Sequence, residues 1–327
     1  GQARFAWAAP KRGAAGPDCA SLSFPLQVAV GATGRLYVPD GDNRRVLVFP
    51  AVAGSTPPIS DAAFALGQPD VFQSGPSTDP DAYTNPASVS IGAGKMAVAD
   101  SAKNRVVIYD MEPADGTARP AVVVGQLNFQ VNDQACDDTH LSGPRAVHIS
   151  PDGKLFVADT NHSRILVWDR VPETDGEAAT VVLGQSGFTT CLHNLVGGPV
   201  PTRASMRLPS GVWSDGTRVA VSDTSNNRIL LWDAILMSFP TGQEPTLVLG
   251  QGSFDVATVH PPGADTVNSP AGVAFNGTHL AVADRGHNRV LLWDAWPAQI
   301  RQAARNVIGQ RLFTQGLPND VGGDDSS

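Results

Sequence analysis

Charge is scarce in this sequence. Lysine and arginine number 23 and aspartate and glutamate 31, so charged residues make up 17% of the 327 and leave a formal net charge of −8. The arginines are isolated and regularly spaced, with no Lys/Arg cluster anywhere. A domain that holds nucleic acid needs a basic face to neutralise phosphates, and this composition excludes that class of partner. It argues equally against an anionic membrane surface. No apolar run reaches the roughly eighteen residues of a membrane-spanning helix, which excludes helical insertion. No secretory signal stands at the start. The sequence opens at Gly1, and the expectation is that any leader has been removed. Cysteine is rarer still: Cys19, Cys136 and Cys191 are too few for a disulfide framework and form no CxxC pair. Also missing are a Gly-x-Ser-x-Gly elbow, a phosphate loop, a dinucleotide fingerprint, HExxH and His-x-His spacings, and EF-hand or RTX loops.

What is present is periodic. The segment Lys154–Asp159 (KLFVAD) is followed five residues on by Arg164 and then by Ile-Leu-Val-Trp-Asp. The string occurs five times. Its aspartates are Asp40, Asp100, Asp159, Asp223 and Asp284, and its arginines are Arg45, Arg105, Arg164, Arg228 and Arg289. Four residues after each arginine stands an aromatic: Phe49, Tyr109, Trp168, Trp232 and Trp293. A second string, Gly-Gln-x-x-Phe, runs in phase with it at Gly125, Gly184, Gly250 and Gly309. At Gly67-Gln68 the phenylalanine comes one place late, at Phe72. A further copy opens the chain with Gly1-Gln2 and Phe5. A proline followed three places on by valine marks the start of each unit (Pro25/Val28, Pro86/Val89, Pro144/Val147, Pro209/Val212, Pro270/Val273). Self-similarity at about sixty residues decides the architecture before any local argument does.

Each unit holds four short runs rich in Val, Ile and Leu and bounded by turn residues. In the third they are Ala146–Ile149, Lys154–Ala158, Arg164–Trp168 and Thr180–Leu183. That is strand chemistry, with hairpin signals at Asp152-Gly153 and Asn276-Gly277. Four antiparallel strands repeated radially make a β-propeller blade, which buries its faces only against neighbouring blades. The expected fold is all-β, a single propeller domain over 1–327 with five four-stranded blades. The blades fall at about 25–68, 86–126, 144–185, 209–251 and 270–310, ahead of a polar tail at 311–327. A six-bladed ring is the alternative.

The string Val-Ala-Asp-x-x-x-Asn-Arg-Val-Leu resembles the NHL repeat over roughly residues 25 to 313. The added Gly-Gln-x-x-Phe is similar to long-repeat bacterial relatives of that family. The resemblance implies a propeller and an extracellular or periplasmic protein. NHL propellers usually carry six blades and shorter repeats, and this sequence departs from them with five complete units.

In a propeller the turns between strands two and three share one face with the inter-blade loops. A residue needed once for chemistry would not recur in every blade, so the five Asp/Arg pairs read as structural ion pairs. The aromatics read as inter-blade packing, the Gly-Gln glycines as a bulge or tight exit, and the glutamines as partners of loop backbone. Function is expected where copies differ. His140, His193 and His260 lie in successive inter-blade loops, and His162 and His287 occupy matching turn positions. His148 lies beside Arg145 on the innermost strand of the third blade. These seven are the candidate binding residues, and imidazoles on a propeller axis suit a transition metal. Asp133, Asp137 and Asp138, just before His140, form an oxygen-rich loop of the kind that suits calcium, with Asp79 and Asp81 in the preceding loop. Cys136 and Cys191 flank the same blade and are the candidate disulfide.

Three functions compete. The favoured one is a non-catalytic secreted or surface scaffold that binds a protein or self-assembles through its loop face. It has no resident cofactor. The alternatives are a metal-dependent hydrolase or lyase at the channel mouth and a carbohydrate-binding propeller. For the last, loop aromatics that could stack on a sugar are few: Trp7, Tyr83 and Trp296.

Overall fold

The computed structural model describes residues 16–51, 61–238 and 240–318. Among the described residues twenty strands form five four-stranded antiparallel sheets, each in consecutive order, and the chain is a five-bladed β-propeller. The first blade is β1 (Ala29–Val30), β2 (Arg35–Asp40), β3 (Arg45–Ala51) and β4 (Phe64–Leu66). The second is β5 (Pro86–Gly92), β6 (Lys95–Asp100), β7 (Arg105–Tyr109) and β8 (Val122–Val124). The third is β9 (Ala146–Ile149), β10 (Leu155–Asp159), β11 (Arg164–Trp168) and β12 (Val181–Leu183). The fourth is β13 (Gly211–Ser214), β14 (Val219–Asp223), β15 (Arg228–Trp232) and β16 (Leu247–Leu249). The fifth is β17 (Val273–Phe275), β18 (Leu280–Asp284), β19 (Arg289–Trp293) and β20 (Asn306–Ile308). The opening Gly1–Phe5 copy and the end of the polar tail lie outside the described residues.

The local reasons are visible in the turns. Each repeat aspartate pairs directly with its arginine across the second and third strands, as in Asp40↔Arg45, Asp100↔Arg105, Asp223↔Arg228 and Asp284↔Arg289. The residue just before each arginine (Arg44, Asn104, Ser163, Asn227, Asn288) sits at φ of 50–56°. That left-handed conformation is what asparagine tolerates best among residues with a side chain, which accounts for the Asn-Arg step of the repeat.

The chain divides into two compact units: Gly1–Val157 with Trp168–Ala179, and Ala158–Val167 with Thr180–Ser327. In the first unit the blade-one residues Tyr37, Val46, Val48 and Leu66 form one core with Val89, Met96, Val98, Val107 and Tyr109 of blade two. First strands of neighbouring blades touch, β1 with β5 and β5 with β9. In the second unit Ala220, Ile229, Leu231 and Leu249 of blade four pack on Phe275, Leu280, Val282, Leu291 and Trp293 of blade five.

An unpaired outer strand invites aggregation, and three of these strands are capped by a crossing loop. The Val123 N–H of β8 donates to Asp175 Oδ1 at 2.9 Å, and its C=O accepts the Gly176 N–H at 3.0 Å. The Val182 N–H of β12 donates to the Pro240 C=O, and the Val248 C=O of β16 accepts the Arg301 N–H, both at 2.9 Å. The caps of β8 and β16 come from the third–fourth strand crossing of the following blade. The repeat tryptophans steady their own crossings, each indole N–H donating to a backbone carbonyl: Trp168 to Glu177, Trp232 to Gln243 and Trp293 to Gln302.

Candidate binding surface

The repeated polar residues form a buried frame for the inter-blade loops. All five ion pairs are fully buried, at 2.8 Å for Arg45–Asp40, 3.5 Å for Arg105–Asp100 and 2.7 Å for Arg164–Asp159, Arg228–Asp223 and Arg289–Asp284. Each guanidinium then ties loops together. One terminal nitrogen donates to a carbonyl in the loop that follows the blade, at Val71, Phe129, Phe188, Phe254 or Phe313. In four copies the other donates to the loop before it, at Asp18 and Ser21, Ala82, Thr202 and Ser205, or Gly263 and Thr266. The glutamines complete the frame. Each donates to the carbonyl seven residues on: Gln68 to Gly75, Gln126 to Asp133, Gln185 to Leu192, Gln251 to Thr258 and Gln310 to Leu317. Burying five charges is tolerable only because each is paired and hydrogen-bonded this fully. Burial alone pushes the Asp100 and Asp223 carboxyls above their usual range, even against their arginine partners.

The histidines divide. His162 and His287 are buried, and each Nδ1 donates to the repeat aspartate at 2.9 Å. They fill the place that Asn43 and Asn226 fill in other blades, where the side-chain amide donates to the same carboxylate oxygen. His287 Nε2 lies 3.1 Å from the His260 carbonyl, and His260 Nε2 lies 3.1 Å from Gln251 Oε1. The structure therefore brings His260 and His287 together, as part of the loop frame. His140 Nδ1 bonds Asp137 at 2.9 Å within its own loop. Burial would raise Asp137, but hydrogen bonds from His140 and Thr139 hold it below the ordinary carboxylate range. Asp133 is exposed, Asp138 and His193 half-buried, His148 half-buried on β9 and Arg145 exposed just before it. Among the described residues no three His, Cys, Asp or Glu side chains gather as metal ligands. Cys136 and Cys191 are both disulfide-bonded, and Cys19 is a free thiol. Of the aromatics expected to stack on a sugar, Tyr83 is instead buried, its hydroxyl 2.7 Å from that of Tyr109. Trp296 packs on Trp213 and Phe275, and Trp7 lies outside the described residues.

Two surface features stand on this frame. In the first unit, loop 77–82 separates a cavity of about 300 Å³ from one of about 410 Å³. Arg119 bonds Asp79 at 2.6 Å and approaches Asp81 to 3.9 Å, while Lys103 donates to the Ala82 carbonyl at 2.7 Å. A backbone N–H from Asp81 holds Asp79 low, whereas burial and the neighbouring Asp79 push Asp81 up.

In the second unit, loop 186–210 turns its apolar side chains outward. Leu192, Val196 and Val200 are 57%, 78% and 61% exposed. Its backbone is nonetheless pinned. The Asn194 N–H donates to the Met206 C=O at 2.8 Å, and its buried amide donates to the Gly198 C=O and pairs with Asn226. Asn194 and Leu195 both adopt positive φ, at 52° and 66°, a cost of order 1 kcal/mol or more for leucine that surrounding bonds must hold in place. Sequence reasoning placed the long loops but missed both features. Arg119 and Lys103 lie outside the repeat strings, and an apolar residue in a loop looks the same whether it faces in or out.

No family model matches this chain, and no curated protein matches it. Solved structures do. A chain of the crystal structure of the nidogen/laminin complex aligns with a TM-score of 0.51 and 13% identity, over 90% of this chain and 82% of that one. A catalytically inactive virginiamycin B lyase from Staphylococcus aureus, with quinupristin, aligns at 0.45 and 13%, over 82% and 66%. Hydrazine synthase of Kuenenia stuttgartiensis aligns at 0.47 and 11%, over 84% and 77%. At such identities the likeness is one of fold.

Proposed function

We propose that this chain is an exported propeller of the NHL-repeat type that serves as a protein-interaction scaffold, binding its partner through the inter-blade loops. The observation that carries the reading is loop 186–210, which keeps Leu192, Val196 and Val200 in water on a backbone fixed by buried bonds. Exposed apolar side chains on a preorganised loop are the economical way to bind protein, because little ordering entropy remains to be lost. Phe72, Leu127 and Val259 repeat the exposure in other inter-blade loops, and Leu312 does so after the last blade. Export is supported by the disulfide, a bond that persists in oxidising compartments. No helix among the described residues is long and apolar enough to cross a membrane. A protein complex, that of nidogen and laminin, employs the same fold.

The test uses the full chain, immobilised and exposed to the proteins secreted by its organism of origin, with retained proteins identified by mass spectrometry. A triple variant, Leu192→Ser, Val196→Ser and Val200→Ser, is expected to keep the wild-type melting temperature. It should bind the retained partner at least about tenfold more weakly, a loss of roughly 1.4 kcal/mol. Equal retention by both proteins, or no partner for the wild type, overturns the reading.

A further inference from the structure

One carboxylate in the first unit is mostly buried and has nothing to bond. Asp81, on the loop between the first and second blades, has a side chain 26% exposed, and its carboxylate accepts no hydrogen bond among the described residues. Arg119 approaches it to 3.9 Å but is spent on its neighbour. Asp79 is satisfied on both oxygens, Oδ1 by the Asp81 N–H at 3.0 Å and Oδ2 by Arg119 at 2.6 Å. A carboxylate taken from water and left unpaired costs stability until something supplies donors. Asp81 lines the cavity of about 300 Å³ that borders loop 77–82, at the lower end of the roughly 300–1,000 Å³ usual for small-molecule sites.

The same cavity holds donors with no acceptor. Tyr109 lines it, its hydroxyl 2.7 Å from that of Tyr83, and the two residues are 3% and 2% exposed. Two hydroxyls carry two hydrogens and the bond between them uses one, so one is left over, and neither hydroxyl has another partner among the described residues. With Tyr83 as the donor, that hydrogen is on Tyr109, at the cavity wall. Arg119 commits one terminal nitrogen to Asp79 and leaves the rest of its fork unspent, on a side chain 63% exposed. Between these groups the wall is apolar, from Pro69, Ala118 and Pro120. It is also fixed in place. A Cβ on Gly116 would stand 2.9 Å from the Ala65 C=O, so the crossing loop that bears Ala118 and Arg119 lies directly on β4.

We propose that this cavity is a carbohydrate site that takes one neutral sugar residue, whose hydroxyls donate to Asp81 and accept from Tyr109 and Arg119. The unspent groups select that chemistry. An ammonium ion would satisfy Asp81 but leave the Tyr109 O–H idle and stand beside the Arg119 guanidinium. A carboxylate or phosphate would use the donors and meet the Asp81 charge. A hydroxyl both donates and accepts, so adjacent hydroxyls answer all three groups at once. The C–H face of a sugar ring suits the proline and alanine wall, and hydrogen bonds to two charged side chains are the stronger kind. Burial and Asp79 push Asp81 up, and donors from a ligand would draw it back. The site shares no residue with loop 186–210, so it stands whether or not that loop binds protein.

The experiment is isothermal titration calorimetry of the full chain with glucose, galactose, mannose, xylose and N-acetylglucosamine in turn. At least one is expected to bind with a Kd of about 1 mM or tighter. Asp81→Asn keeps the shape but removes the charge and one acceptor, and should weaken the best sugar at least about tenfold. It should melt no lower than the wild type, because the carboxylate has no hydrogen bond to lose. Asp255→Asn removes the same charge from an exposed position on another inter-blade loop and should bind as the wild type does. L-lysine amide and L-alanine serve as the cationic and zwitterionic probes and are expected not to bind. Silence from all five sugars, binding undiminished in Asp81→Asn, an equal loss in Asp255→Asn, or binding of either amine in place of a sugar overturns the proposal.

Discussion

At the residue scale the molecule uses a few polar side chains as fasteners. A buried guanidinium has five N–H donors in a fixed fork, and here they are spent on one carboxylate and on carbonyls from loops on either side of a blade. Lysine could not hold that geometry. The frame also accounts for two of the histidines, His162 and His287. At the position three after the aspartate, asparagine and histidine serve interchangeably as donors to the same carboxylate oxygen. Outside the frame, Asp215 shows how a carboxylate stabilises through its charge. Burial would raise it, but the Arg218 and Thr217 backbone N–H groups and the Arg218 guanidinium, 2.7 Å away, hold it below its ordinary value. A carboxyl depressed in the folded state contributes stability that is present above its unfolded pKa of about 3.9 and lost as pH falls through the folded value. Asp215→Asn should therefore melt below the wild type at neutral pH, and the two melting curves should converge as pH drops under about 4. A gap that persists in acid would show that the charge is not the source.

At the scale of the element, the blade end is set by glycine. Gly184 leaves β12 at φ of 88°, and a Cβ there would stand 2.8 Å from the Met206 side chain. Gly67, Gly125 and Gly250 are alike in both respects, against Tyr83, Leu141 and Val267. The glycine lets the next inter-blade loop close directly over the strand end. Gly184→Ala is expected to cost about 1–3 kcal/mol from the conformation and the crowding together. Gly187→Ala, with nothing within 4 Å and no positive φ, should cost almost nothing. Thermal denaturation of the pair checks this, and equal losses would refute it.

At the scale of the whole molecule, stability rests on the burial of one blade's face by the next, and length alone does not tie the loops down. The disulfide that engages Cys136 and Cys191 closes a long stretch of chain, and reducing such a bridge typically removes about 2–4 kcal/mol. Dithiothreitol should lower the melting temperature accordingly. A Cys136→Ser, Cys191→Ser double variant should match the reduced wild type and no longer respond to reductant. An unchanged melting temperature on reduction would count against a structural role.

The sequence by itself determined the repeat, the strand class, the number of blades and the pairing of each aspartate with its arginine. All of these follow from local periodicity and from spacings that recur in phase, and a period-two strand pattern needs no knowledge of what lies across from it. It also held the loops that carry the histidines and cysteines. Only the tertiary structure decided which side chains of those loops face water. Tyr83 and Leu192 are both large loop residues, yet one is sealed against Tyr109 and the other stands in solvent. Burial depends on the neighbour a surface meets, and no residue carries that neighbour in its own name.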